Sequence, residues 1–233
     1  MPTVHDNDLL LSELMSTWMC HALVGSVGAV VNGLELLRED PSALAETMVL
    51  LDASALATTR RLKFFRAAFG QSVAGARGDA QAFRTVLEEF LAISRSPGGA
   101  VIVHWPSLPA ERRFDQSVYR LVLLLALLAM DCLPRGGTIT ISAEEKPAPP
   151  GISLVLDAAG RSARLDAGVA AALRPESHAS PSSVDSLVPR NAPAAFAASM
   201  ARRLGGNITF QTGPEHVILS AVSLQPETID TQT

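Results

Sequence analysis

A chain of 233 residues is long enough for one large domain or two modest ones. Its 48% hydrophobic and 18% charged residues can bury a sizeable core, which excludes wholesale disorder, and 5% aromatics beside abundant Ala and Leu favour helices over an all-β sandwich. Nineteen Lys and Arg against 23 Asp and Glu leave a net charge of −4, which argues against a nucleic-acid binder with a basic footprint.

The N-terminus, Met1 to Asp8, is acidic rather than basic and lacks the apolar core of an export signal. The longest pure apolar run, Leu121 to Met130, has ten residues, about half of what spans a bilayer. The expectation is a soluble, cytoplasmic protein with no membrane partner. Cys20 and Cys132 form no disulfide framework and match no metal pattern.

Two long helical segments come first. From about Asp8 to Arg38, the apolar or small positions Leu11, Met15, Trp18, Ala22, Gly25 and Ala29 recur in steps of four and three, a seam of the coiled-coil kind. A polar break at Arg38 to Ser42, with Pro41 at the next helix start, leads to Leu44, Met48, Leu51, Ala55, Thr58, Leu62, Phe65 and Phe69 in the same steps. Such a hairpin buries one stripe on its mate and has apolar surface left over, which a second copy would cover as a dimeric four-helix bundle. A Gly- and Ala-rich linker, Gly70 to Asp79, divides the chain into 1–75 and 76–233.

The second part mixes element types. A helix at Gln81 to Ile93, a β-like run at Ala100 to Trp105 and a helix at Phe114 to Leu133, apolar nearly all round, are followed by a turn at Pro134 to Gly137. Thr138 to Ala143 and Ile152 to Leu156 read as a strand hairpin about a turn at Pro147 to Gly151. Ala192 to Leu204 is helical and ended by Gly205-Gly206, and strands Asn207 to Gln211 and His216 to Val222 close the chain, with a frayed tail from Gln225. The fold class is α+β, a helical hairpin followed by an α/β sandwich with helices on one face of the sheet.

His21 lies midway along the first helix, at the edge of the seam. Gly25, Gly28 and Gly33 follow it, each costing a helix about 1 kcal/mol relative to alanine. Gly25 and Gly28 fall one and two turns from His21 on its own face, where a glycine usually means that something must come close. Thr17 and Val24 border this patch, and Trp18 joins them as a candidate partner contact, although packing is the commoner use of its ring. Counting symmetrically from the turn near Asp40-Pro41 places Thr59 and Arg60 opposite His21. Arg60, Arg61, Lys63 and Arg66 form a basic cluster suited to a phosphoryl group in transit, or simply to the helix dipole. Arg161 and Arg164 are further candidates for an acidic partner. No pair among His104, His178 and His216 has metal-ligand spacing, so no metal is expected, and no P-loop is present.

The stretch Cys20-His21-Ala22-Leu23-Val24-Gly25-Ser26-Val27-Gly28-Ala29-Val30, followed by Asn32-Gly33-Leu34-Glu35-Leu36-Leu37, resembles the phosphoacceptor helix of ChpT-type histidine phosphotransferases. These are bacterial phosphorelay proteins built like the dimerisation and ATP-binding halves of a sensor kinase. Phe64 to Gly70 is similar to the end of their second helix. Leu133 to Ile139 and Ala201 to Ile208 are similar to landmarks of their kinase-type second domain. The resemblance implies that His21 is phosphorylated, that the protein is a homodimer, and that receiver domains of a hybrid kinase and of response regulators are its partners, supplying aspartate and Mg²⁺. Two positions depart from the pattern: Ala22 follows the histidine where an acid is common, and Ser26 stands where a proline is common.

By the same resemblance, the asparagine with which active kinases ligate Mg²⁺ falls on Leu128, an apolar side chain unable to complete an oxygen shell. Asp157-Ala158-Ala159-Gly160 keeps the acid of the adenine-approaching motif and part of its glycine pattern, and polar, Pro-rich Ser177 to Pro193 replaces a glycine-rich lid. The resulting expectation is a phosphotransfer protein that uses neither ATP nor any other cofactor. Its rivals are a dimeric pseudokinase scaffold that binds receivers without carrying phosphate, which Ala22 keeps open, and an ATP-dependent kinase, which Leu128 opposes.

Overall fold

The computed structural model describes residues 4–70, 79–93, 99–105, 114–147, 150–174 and 187–225. Most of the linker, the Ser177 to Ser186 segment with His178, and the tail beyond Gln225 lie outside the described residues.

Helices α1 (Val4–Glu39) and α2 (Leu44–Phe69) form an antiparallel hairpin. At 1.5 Å per residue they are about 54 and 39 Å long. The connection is a 3₁₀ turn, Pro41–Ala43, capped by Asp40, whose carboxylate accepts from the Ser42 backbone N–H at 2.9 Å and its hydroxyl at 2.6 Å. Over Asn7–Glu39, α1 is long and apolar enough by length and composition to cross a membrane. The same composition suits a helix that packs a bundle on more than one side.

The inner seam departs from the expected one. Gly25 is exposed, and the α1 side of the seam passes instead through Ala22, Ser26 and buried Gly33, because a straight helix of 3.6 residues per turn drifts off a strict 4–3 alternation. On α2 the buried positions are Thr47, Ser54, Phe64, Phe65 and Ala68, whereas Leu44, Met48 and Leu62 face outward. The helices come close because Gly33 has no side chain. A Cβ there would meet Leu51 Cδ2 at 2.9 Å and Thr47 Cγ2 at 3.4 Å. Small polar residues therefore fill the seam toward the turn; of the apolar series read from the sequence, Leu51, Thr58, Phe65 and Phe69 keep to the inner side, and Leu44, Met48 and Leu62 mark an outer stripe.

The remainder is α+β. In chain order come α3 (Ala80–Ile93), β1 (Val101–His104), α4 (Gln116–Asp131), β2 (Gly137–Pro147), β3 (Pro150–Ala159), α5 (Ala167–Leu173), a 3₁₀ turn (Pro189–Asn191), α6 (Ala192–Arg203), β4 (Asn207–Gly213) and β5 (His216–Leu224). The strands form one sheet in the order β1-β2-β3-β5-β4, with β1 parallel to β2 and the rest antiparallel. The expected hairpin is present and longer than expected, its pairing running from Thr138↔Ala159 to Pro147↔Pro150. Helix α5 was not anticipated. It starts where Asp166 Oδ1 accepts from the Gly168 and Val169 N–H groups.

Helix α4 is the centre of the core: Leu121 to Ala129 are buried on every side. Ile139, Ile141, Leu154, Leu156, Val217, Leu219 and Ala221 present the inner sheet face to it. Gly205, at φ +75°, turns the chain out of α6, and the Gly206 N–H closes the helix end on Ala201 O at 2.9 Å. The end of the hairpin is built into this core. Phe64 stacks on Phe90 of α3 at 4.0 Å, Phe69 meets Phe196 of α6 edge-on at 5.5 Å, and Arg120 Nε of α4 donates to Ala68 O at 3.3 Å.

Candidate functional site

His21 is exposed on α1, and among the described residues no hydrogen bond holds its ring. Its neighbours Thr17, Cys20 and Val24 are exposed as well, Val24 at 67%. Thr17 hydroxyl is turned back onto Glu13 O at 2.9 Å. Trp18 behaves otherwise. It is half-buried, with its ring 5.3 Å from Phe65 and 5.7 Å from Phe69, so it fastens α1 to α2.

The glycines near His21 divide by environment. A Cβ on Gly25 or Gly28 would meet nothing within 4 Å, in contrast to Gly33 against Leu51. The flank past His21 is therefore thinned on its open side and not for internal packing. One turn beyond, Ser26 sits in the seam. Its hydroxyl lies 3.1 Å from Leu23 O and 2.9 Å from Thr58 Oγ1, which is itself 2.9 Å from Ser54 O. A hydroxyl clip between α1 and α2 thus stands at the position where a proline is common.

Trp18 against Phe65 and Ser26 against Thr58 bracket His21, which places Leu62 and Lys63 at its level in place of Thr59 and Arg60. The 3₁₀ turn consumes Pro41–Ala43 and so displaces the centre of the hairpin along the chain. Arg60 and Arg61 are half-buried on the adjoining turn of α2, while Lys63 is tied to Glu89 of α3 at 3.3 Å. Arg161 and Arg164 are exposed on the turn after β3, where the Arg164 N–H donates to Cys132 O at the far end of α4. That point is about 18 Å along the helix from Arg120, where α4 meets α2. Arg190 escaped the sequence reading. It lies on the 3₁₀ turn packed against α1 and is paired with Asp166 at 3.3 Å. Nothing in its local sequence marks it, since the fold alone brings that turn to the hairpin.

Leu128 lines a cavity of about 200 Å³ with Asp131, Cys132, Leu165, Asp166, Val169 and Arg190. Burial, and then the Asp131 charge, pushes the Cys132 thiol up to about 12, and loss of hydration pushes the Asp131 carboxyl up to about 6 against an opposing pull from Arg190. Asp157 does not join this cavity. It lies within β3 between Leu156 and Ala158, which face the core, so alternation turns it to the other side of the sheet, where among the described residues its buried Oδ1 has no hydrogen-bond partner. Among the described residues no three of His, Cys, Asp and Glu gather as a metal-ligand set.

Comparison with known proteins places this build. Residues 81–216 match the family model of the histidine phosphotransferase C-terminal domain. The protein phosphotransferase ChpT of Brucella abortus is 30% identical over 156 residues, 66% of this chain and 70% of that protein. A solved bacterial phosphotransferase superposes with a TM-score of 0.74 and 25% identity, over 91% of this chain and 96% of its own. The Acinetobacter baumannii histidine kinase AdeS superposes with a TM-score of 0.46 and 11% identity. The chain belongs to the histidine phosphotransferase family. It is thereby a phosphotransferase of two-component signalling, of the ChpT type expected from its phosphoacceptor-like helix.

Proposed function

We propose that this protein relays a phosphoryl group between aspartates of receiver domains through phospho-His21, and that residues 1–75 act as its dimerisation and phosphotransfer domain. The observation that carries the reading is an unencumbered imidazole on an exposed helix flank, beside Gly25 and Gly28, whose missing side chains leave room for a visiting protein. In the first step a lone pair on a neutral imidazole nitrogen attacks the phosphorus of an aspartyl phosphate. An N–P bond forms, the P–O bond to the carboxylate breaks, and the aspartate leaves as its anion. In the second step the aspartate of another receiver attacks the same phosphorus and the imidazole leaves. The receivers supply aspartate and Mg²⁺. This chain contributes the positioned nucleophile and the cations of half-buried Arg60 and Arg61, which offset charge on the phosphoryl oxygens.

The outward stripe supports a homodimer. Val27, Val31 and Leu34 of α1 and Leu44, Met48 and Leu62 of α2 are exposed apolar side chains that a second hairpin would cover as a four-helix bundle. This also accounts for the membrane-like composition of α1 without a membrane and fits a soluble, cytoplasmic protein. The apolar wall that Leu128, Leu165 and Val169 give the second domain, and a volume below the roughly 300 Å³ at which ligand pockets begin, support a degenerate nucleotide site.

The test is phosphoryl transfer from a radiolabelled receiver. Acid-labile, base-stable label is expected on the wild-type protein and is expected to be lost at least 1000-fold in His21→Ala with unchanged folding. Receiver binding without label on the wild type would leave the scaffold reading, which the missing carboxylate at Ala22 favours. Label from Mg-ATP alone would establish a kinase.

A further inference from the structure

A second cavity, of about 440 Å³, lies where α1 meets α6 beside the end of α2 and the start of α4, within the size range of small-molecule sites. Much of its wall is apolar. Met15 and Met19 of α1 and Met200 of α6 line it together with Leu11, Phe69 and Phe196. The Phe69 and Phe196 rings meet edge-on at 5.5 Å, and Phe69 also lies 5.7 Å from the Trp18 ring, so this aromatic floor is held in place. The three thioether chains are unbranched and adapt to bodies of varied shape. A fixed floor beside a pliable wall suits a flexible alkyl group.

The polar members of the lining do not select a charge. Asp8 and Arg203 are exposed, where solvent screening leaves an ion pair little strength. Arg120 is already engaged, its Nε donating to Ala68 O at 3.3 Å, and the Ser16 hydroxyl is turned onto Ser12 O at 2.9 Å. Ser117, at the start of α4, is half-buried, and among the described residues its hydroxyl makes no hydrogen bond. That hydroxyl can serve one hydroxyl or carbonyl of an occupant. An ionic head, by contrast, would lose hydration against the apolar wall with no committed partner to offset the loss.

We propose that this cavity is a binding site for a small neutral molecule, an alkyl chain of medium length carrying one hydroxyl or carbonyl group. The site spans α1 and α6, and Met19 stands two residues before His21. The occupant fastens the base of the histidine-bearing helix to the second domain. The inference rests on the cavity and its lining and not on the phosphotransfer reading, so its test reads binding.

1-Octanol titrated calorimetrically into the full-length protein, below its solubility limit, is expected to fill one saturable site per chain. Met200→Trp, which puts a larger ring at a half-buried wall position, should abolish that binding. Met19→Gln, a change of nearly equal size that makes the wall polar, should weaken it about tenfold and tests the site even if the larger ring disturbs folding. Arg203→Gln should leave the affinity within about twofold of wild type, and octanoate should bind about tenfold more weakly than octanol. Absence of saturable binding, or unchanged affinity in Met19→Gln and in a folded Met200→Trp, would overturn the proposal. Octanoate binding as tightly as octanol, or loss of octanol binding in Arg203→Gln, would overturn it as well.

Discussion

The two halves of the molecule use apolar residues in opposite ways. In the second, Leu121 to Ala129 vanish among sheet and helices, and the sheet's inner face is covered entirely from within the chain. In the hairpin, the inner seam is lined by Thr47, Ser54, Thr58 and Gly33 toward the turn and by Met15, Trp18 and Phe65 toward the second domain, while Val27, Val31, Leu44, Met48 and Leu62 remain at the surface. A region that has finished burying its core owes its stability to packing density. A region that leaves a stripe of large side chains outside is fitted to meet other molecules. The contrast teaches that mean hydropathy says little about where a chain is self-sufficient.

The sharpest way to break this comparison is to truncate one residue on each side of it. Leu124→Ala, in a fully buried helix, should cost about 4 kcal/mol by denaturant titration. The double substitution Met48→Glu and Leu62→Glu should leave the thermal unfolding of the sandwich near wild type and convert the proposed dimer to a monomer by light scattering. If the hairpin variant unfolds the whole chain instead, the two regions are not distinct in this sense. A smaller effect separates the glycines. Gly28→Ala faces open space and should stabilise the helix by about 1 kcal/mol while slowing transfer from a receiver about tenfold, whereas Gly33→Ala collides with Leu51 and should destabilise the hairpin with no transfer defect beyond that loss.

The smallest expected effect lies in the second half. Asp131 has a carboxyl pKa raised to about 6, so between about pH 4 and 6 the folded state holds a proton that the unfolded state has released, and stability falls as pH rises through that window. Asp131→Asn should therefore stabilise the protein at pH 7.5 and not at pH 4. Because Asp131 still meets solvent, the gain should be held to about 1 kcal/mol, read from thermal melts at both pH values.

Much of this was legible in the sequence where one signal dominated. The all-round apolar run of α4, the Thr-Ile alternation of β2 and the double glycine after α6 each admit one reading, and the structure follows them. The face of α2 was legible only in part: Leu51, Thr58, Phe65 and Phe69 of the series keep to the inner side, but Leu44, Met48 and Leu62 share its spacing and face outward. Only the approach allowed by Gly33 decides that Thr47 and Ser54 go inside. The same shift, together with the 3₁₀ turn, moved the level opposite His21 from Arg60 to Lys63. Helix α5 is too short for a periodic signal, and Arg190 gains its neighbours only through folding. The exposure of His21 was foreshadowed by its place at the seam's edge, whereas Trp18, two turns of thought away from catalysis, turned out to be a fastening of the hairpin.

The order of the halves along the chain matters during synthesis. The hairpin leaves the ribosome first, with its outer stripe bare and the aromatic cluster at its far end waiting for α3 and α6 to arrive. Nascent hairpins on neighbouring ribosomes of one message would be well placed to find each other. The proposed dimer predicts that the melting temperature of the protein rises with its concentration, as mass action requires when association accompanies folding.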